Sequence, residues 1–181
     1  MPTILKLLFL TTILGLFFFA SHNLISAVDE ENPVRLALVN AGGSFFDIQQ
    51  INLTITPQPI TKQVSNDLVF AKIVVTYDKD KITLAEDPKI VTANWGYVVK
   101  AQGKNEVESK NPGKIILVAG ITPNQEPISG LSLFAKLKFK KISANTSGST
   151  VIRINNSQSQ IVHTPAQEMT RIDSNTLSFS L

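Results

Sequence analysis

Residues 71–78 read Ala-Lys-Ile-Val-Val-Thr-Tyr-Asp, and residues 131–140 read Leu-Ser-Leu-Phe-Ala-Lys-Leu-Lys-Phe-Lys. Apolar and polar side chains alternate in both stretches. Successive side chains of a strand point to opposite faces of a sheet, so this period predicts two strands with one face in a core and one in water. The predicted core positions of the two strands are Ile73, Val75, Tyr77, Leu133, Leu137 and Phe139.

The rest of the chain after residue 33 carries short apolar runs separated by Gly, Pro and Asn. About nine such strands predict an all-β fold, a two-sheet antiparallel β-sandwich with jelly-roll topology over residues 34–181. The segment 102–113 is polar, with Val107 as its only apolar residue, and is predicted to be an exposed loop. No stretch of a dozen residues after residue 27 shows a helical period. The Ile-, Leu- and Val-rich run at 114–119 is predicted to be a strand buried on both faces.

Residues 1–27 contain one charged side chain, Lys6, followed by a strongly apolar stretch from Leu7 to Ala20. This pattern is typical of a signal peptide, with cleavage after Ala27, and predicts a secreted protein in the extracellular space or at the cell surface. An uncleaved N-terminal membrane anchor is the alternative, because the apolar stretch approaches spanning length.

The composition restricts the classes of function. Hydrophobic residues make up 43% of the chain and charged residues 17%, which is typical of a globular protein with a core. The chain has no cysteine, and its two histidines, His22 and His163, are far apart, so it offers little material for a metal site or a catalytic triad. The net charge is only +3, with lysines alternating with apolar residues, so no nucleic-acid partner is expected.

Two motifs resemble the cohesin domain family. Tyr77-Asp78, followed by Ile82 and Leu84, resembles the end of the third cohesin strand and the restart after it. The stretch 131–140 resembles a late strand of the family, with its aliphatic-Ala-x-aliphatic-x-Phe-Lys pattern. The resemblance covers roughly residues 34–181 and extends to the wider group of sandwich-type carbohydrate-binding modules.

The resemblance implies a non-catalytic binding module with no cofactor. Its partner would be a protein, a dockerin-like module, and its setting would be attachment or surface assembly linked to polysaccharide breakdown. Cohesins present the outward face of the third strand to their partner. In this chain that face carries the predicted partner-binding residues Phe70, Lys72, Val74 and Thr76.

Two other functions stay open from the residues alone. Trp95 and Tyr97 are two positions apart and would lie on one side of a strand, where exposed aromatics stack on sugar rings. Joint exposure of the two would favour a carbohydrate-binding module that holds polysaccharide. A smooth polar surface would favour a structural envelope or adhesion domain.

Four acidic residues lie between positions 78 and 87. Asp78 is predicted to cap the turn after Tyr77 by accepting a hydrogen bond from the backbone of Lys79 or Asp80. A calcium site formed by Asp78, Asp80, Glu86 and Asp87 stays open, although the lysines interleaved with these acids disfavour it.

Overall fold

Two β-sheets pack face to face in the computed structural model, which describes residues 34–45, 48–57, 67–164 and 172–181. The strands in these ranges are β1 (Val34–Gly43), β2 (Gln49–Thr56), β3 (Asp67–Tyr77), β4 (Ile82–Leu84), β5 (Lys89–Ile90), β6 (Tyr97–Ala101), β7 (Lys114–Gly120), β8 (Ser132–Lys141), β9 (Ser149–Ile154), β10 (Gln160–Thr164), β11 (Ile172–Ser174) and β12 (Thr176–Ser180). The predicted signal peptide or membrane anchor lies outside the described residues. No helix within them is long and apolar enough to cross a membrane.

Each sheet contains six strands. The first has the order β11-β1-β2-β8-β4, with β5 also paired to β8. The second has the order β12-β9-β3-β7-β6, with β10 also paired to β3. The predicted all-β sandwich is therefore confirmed, and the chain crosses between sheets repeatedly, as jelly-roll connections require. Several of the strands are only two or three residues long, so the described residues contain more strands than the nine or so predicted.

One strand pair departs from the antiparallel prediction. Strand β11 runs parallel to β1, with Val34 opposite Ile172. Strand β10 belongs to the second sheet and β11 to the first, so the chain reaches β11 by a crossover between sheets. A crossover places no constraint on direction, unlike the tight turn of a hairpin.

The predicted core is confirmed at Ile73, Val75, Leu137 and Phe139, which are fully buried. Tyr77 is half-buried and packs its ring edge-to-face on Phe139, with 5.2 Å between the ring centroids.

The prediction is wrong at Leu133, which is only half-buried, while Phe134 and Ala135 are both fully buried. The register between β2 and β8 shifts between Leu53 and Thr54. This irregularity breaks the alternation, because it lets two consecutive residues of β8 face the core.

The segment predicted as an exposed loop contains a short helix, α1 (Lys104–Lys110), whose Val107 is fully buried in the core. The Asp87 carboxylate accepts a hydrogen bond of 2.6 Å from the Lys104 backbone N–H at the start of α1. A seven-residue helix with a single core contact gives no periodic apolar pattern, which is why the sequence does not predict it.

Candidate partner-binding face

Strand β3 lies in the middle of the second sheet and carries the four predicted partner-binding residues. Ala71, Ile73 and Val75 point into the core, so the residues between them point outward. The outward row consists of Phe70, Lys72, Val74 and Thr76. Phe70, Lys72 and Thr76 are half-exposed, but Val74 is only 1% exposed. The prediction that Val74 offers its side chain to a partner is therefore not supported.

The cover of Val74 coincides with an interruption of the neighbouring strand. Strands β9 and β10 both run antiparallel to β3, and residues 155–159 between them leave the ladder with a 3-10 helix at Asn156–Gln158. The Asn155 N–H donates to the Val74 carbonyl over 2.8 Å, and the Val74 N–H donates to Ser159 Oγ over 3.0 Å. The excursion therefore replaces the two missing ladder hydrogen bonds at Val74.

Four residues from four strands form the first rung of this outer face. Tyr97, Gly120, Phe70 and Val162 stand side by side, because directly paired residues point to the same face. A Cβ atom added at Gly120 would lie 3.8 Å from Phe70 Cδ2 and 3.3 Å from the Val69 carbonyl oxygen. Gly120 is itself buried, so a larger side chain here would press on the Val69 carbonyl and contact the Phe70 ring.

The next residue pairs along β3 and β7 add aliphatic and cationic side chains to this face. Val118 lies opposite Lys72, and Ile116 lies opposite Val74. Both aliphatic residues are half-exposed, whereas their neighbours Ile115, Leu117 and Ala119 are fully buried. The predicted burial of 114–119 on both faces is therefore wrong. We call the set of Phe70, Ile116, Val118 and Val162 the apolar strip.

Cations surround the apolar strip. Lys100 pairs with Glu106 at 3.2 Å, and hydrogen bonds from Gln102 and then from Lys100 hold the pKa of the Glu106 carboxyl below its usual value. Lys72, Lys114 and Arg153 make no ion pair with any other described residue. The face thus carries a positive surplus that would attract an acidic surface.

Arg153 stands between two clefts at the edge of this face. One has a volume of about 390 Å³ and is lined by Thr76, Ser149 and Val151 among others. The other has a volume of about 480 Å³ and follows the strand excursion from Asn155 to Ser157. Both contain Arg153 and Thr76, so a side chain in either cleft would reach the guanidinium group.

The two aromatics of the carbohydrate hypothesis do not share a face. Trp95 is fully buried and packs edge-to-face on Phe134, with 5.0 Å between the ring centroids, whereas Tyr97 is 61% exposed. Residues two positions apart share a face only when both belong to one strand. Residues 92–94 form a turn and β6 begins only at Tyr97, so that condition fails. Trp95 cannot stack on a sugar from inside the core.

The acidic residues between 78 and 87 are engaged separately. Asp78 Oδ1 accepts from the Asp80 backbone N–H over 3.1 Å, which confirms its turn-capping role. Glu86 contacts Lys138 at 3.2 Å and Lys89 at 3.4 Å. The parts of the chain that the structure describes contain no group of three or more His, Cys, Asp or Glu arranged to hold a metal ion.

Sequence reasoning found β3 but missed most of its neighbours on this face. Ile116, Val118, Val162, Tyr97 and Arg153 depend on strand pairing between distant segments. One signal was present, since the apolar residues at both parities of 114–119 indicate either burial on both faces or a surface with an unusual apolar content.

No protein-family model matches the sequence, and no curated protein matches it. Solved cohesin structures match the fold. A cohesin module of Clostridium acetobutylicum has a TM-score of 0.61 and 19% identity, covering 83% of this chain and 92% of that module. The sixth cohesin of Acetivibrio cellulolyticus scaffoldin B, solved with a dockerin, has a TM-score of 0.60 and 14% identity, covering 81% and 97%. A cohesin module from a family 33 glycoside hydrolase of Clostridium perfringens has a TM-score of 0.56 and 14% identity, covering 82% and 95%. The chain has the cohesin fold.

Proposed function

We propose that this protein is a secreted, non-catalytic binding module that holds a dockerin-type protein partner on the outer face of its second sheet. The observation that carries the proposal is the apolar strip, which stays half-exposed at the centre of the face. Around it lie Lys72, Lys114 and Arg153, which make no ion pair with the residues that the structure describes. Apolar centres with charged rims are typical of protein interfaces. Several solved cohesins of the same fold are complexes with dockerins, which supports this class of partner.

The domain arrangement belongs to the same proposal. Residues 1–27 would direct export and be removed, and residues 34–181 would form the binding domain. The described residues belong to one compact unit, Asn32–Leu181, in keeping with this division. The biological setting would be attachment or assembly at the cell surface, linked to polysaccharide breakdown.

Phe70 is the proposed anchor of the interface. Phe70 is half-exposed and lies beside Gly120, on the rung between Tyr97 and Val162, so a partner side chain could pack against the exposed part of its ring. Truncation of a central anchor typically costs about 2 kcal/mol or more, which corresponds to a loss of about thirtyfold in affinity. Truncation of the cation Lys72 should mainly slow association and weaken its dependence on salt.

The proposal is tested by isothermal titration calorimetry of the full chain, kept in non-ionic detergent, against the dockerin-type modules encoded in the same genome. Phe70→Ala should weaken binding far more than Lys72→Ala. Leu133→Ala is the matched control, because Leu133 is also apolar and half-buried but lies on the opposite sheet. Absence of binding by every such module, or an equal loss in all three variants, would refute the proposal.

A further inference from the structure

We propose that the outer face of the first sheet is a second binding site, which takes an acidic polysaccharide carrying carboxylate groups. This site lies on the sheet opposite the proposed partner-binding face, and the inference does not depend on a dockerin-type partner.

A row of three lysines defines the site. Lys136, Lys138 and Lys140 of β8 point outward, since Leu137 and Phe139 between them are fully buried. Neighbours in the row are about 7 Å apart, because each strand residue advances about 3.4 Å. We call these three residues the lysine row.

Two members of the lysine row have no acidic partner among the described residues. Lys138 pairs with Glu86 at 3.2 Å, and Glu86 also contacts Lys89 at 3.4 Å. Lys136 and Lys140 are exposed and make no ion pair with the residues that the structure describes. Their charges are therefore available to a ligand.

The lysine row leads into a cleft of about 400 Å³, which Lys140 lines together with Lys79 and Lys104. Glu108 also lines the cleft and accepts a hydrogen bond of 2.7 Å from Thr83 Oγ1. Apolar surface comes from residues that include Tyr77, Pro112 and Ile142. The cleft therefore offers cations, the Glu108 carboxylate as an acceptor for a hydroxyl group, and apolar walls. These features match a sugar ring that bears a carboxylate.

Positive charge dominates the lysine row and the cleft. The six cations are Lys79, Lys89, Lys104, Lys136, Lys138 and Lys140, and the four carboxylates that contact these residues are Asp80, Glu86, Asp87 and Glu108. The surplus of cations over these carboxylates favours a polyanion, and several charges on one polymer would engage together.

The neighbours of the lysine row favour a saccharide over other polyanions. Asn52 lies opposite Lys136, Gln50 lies opposite Lys138, and Thr83 lies opposite Lys140. The amide groups of Asn52 and Gln50 can donate and accept hydrogen bonds with sugar hydroxyls, and Thr83 Oγ1, which already donates to Glu108, can accept one. A phosphate polymer without hydroxyl groups can accept hydrogen bonds from these side chains but cannot donate to their oxygen atoms.

The test uses the full chain in non-ionic detergent, with immobilised polygalacturonate as the probe. The double variant Lys136→Gln/Lys140→Gln should lose at least about tenfold in affinity, because two unpaired cations leave the site. The matched control is Lys72→Gln/Lys114→Gln, which removes the same charge from the second sheet and should lose less than about twofold. Wild-type binding should also weaken as salt is raised, since exposed charges are screened.

Two further polymers test separately whether the charges and the sugar hydroxyls are recognised. Fully methyl-esterified polygalacturonate keeps the sugars but lacks the charges, and it should not bind. Long-chain polyphosphate keeps the charge but lacks the sugar hydroxyls, and it should bind more weakly than polygalacturonate. Equal losses in the two double variants, equal binding of polyphosphate, or no binding of polygalacturonate would each overturn the proposal.

Discussion

Asn175 holds both backbone polar groups of Leu38. Its Oδ1 atom accepts from the Leu38 N–H over 2.7 Å, and its Nδ2 atom donates to the Leu38 carbonyl over 2.8 Å. Strand β11 pairs with β1 only from Val34 to Leu36, and the chain passes into the second sheet at Asn175. The amide of Asn175 therefore continues the ladder at the point where the strand itself departs.

Loss of this amide should destabilise the sandwich. Asn175→Ala leaves an N–H and a carbonyl of β1 without their partners, which should cost about 1–3 kcal/mol of unfolding free energy. Urea denaturation followed by circular dichroism measures the change. Asn105→Ala, on the exposed surface of α1, is the control and should change stability by less than about 0.5 kcal/mol. A similar small change at Asn175 would show that water replaces the contact.

The irregularity in β8 predicts opposite behaviour for two adjacent residues. Phe134→Ala should cost about 3–5 kcal/mol, because Phe134 is fully buried against Trp95. Leu133→Ala should cost about 1 kcal/mol, because Leu133 is only half-buried on the outer side. Chemical denaturation of both variants tests the register, and a larger loss at Leu133 would mean that the unshifted alternation is correct.

Tyr77 should make stability depend on alkaline pH. Burial raises the pKa of its hydroxyl above the usual value, Glu108 raises it further, and a hydrogen bond with the Gly113 backbone opposes them. A raised pKa in the folded state gives stability that is present below the unfolded pKa of about 10 and is lost as the pH rises through the folded value.

Tyr77→Phe tests this dependence by removing the titrating group. Its unfolding free energy should fall less steeply than that of the wild type between about pH 8 and pH 11. Tyr97→Phe, at an exposed position, should follow the wild type. Parallel curves for Tyr77→Phe and the wild type would contradict the assignment.

Arg153 should steer a partner rather than anchor it. Reversal of its charge in Arg153→Glu should slow association with an acidic partner about tenfold at low salt and much less at high salt, because salt screens exposed charges. Stopped-flow kinetics measure the association rate. Lys136→Glu on the opposite sheet is the control, and an equal effect there would mean that net charge alone sets the rate.

The sequence predicted the sandwich because alternation of apolar side chains is local, and the two clearest strands placed Ile73 and Phe139 correctly in the core. The sequence prediction failed where the pairing between strands decides which side chains face the core. The shift that buries Phe134 in place of Leu133 depends on β2, which lies some eighty residues earlier in the chain. Trp95 was assigned by strand parity, but its backbone belongs to the loop before β6.

The candidate partner-binding face was likewise predicted only in part. The sequence identified the row on β3, but not the excursion at 155–159 that binds the backbone N–H and carbonyl of the buried Val74. Ile116 and Val118 lie on this face because β7 pairs with β3. Pairing between distant strands carries no local signature, so these neighbours could not be predicted.

A methyl NMR titration with a dockerin-type module tests the central claim most directly, because it maps the contact surface without mutation. The partner-binding face predicts that the methyl signals of Ile116, Val118 and Val162 shift on binding. The signals of Val39 and Leu133, which belong to the first sheet, should stay in place. Shifts at Val39 and Leu133 with Ile116, Val118 and Val162 unchanged would contradict the assignment of the partner to the second sheet.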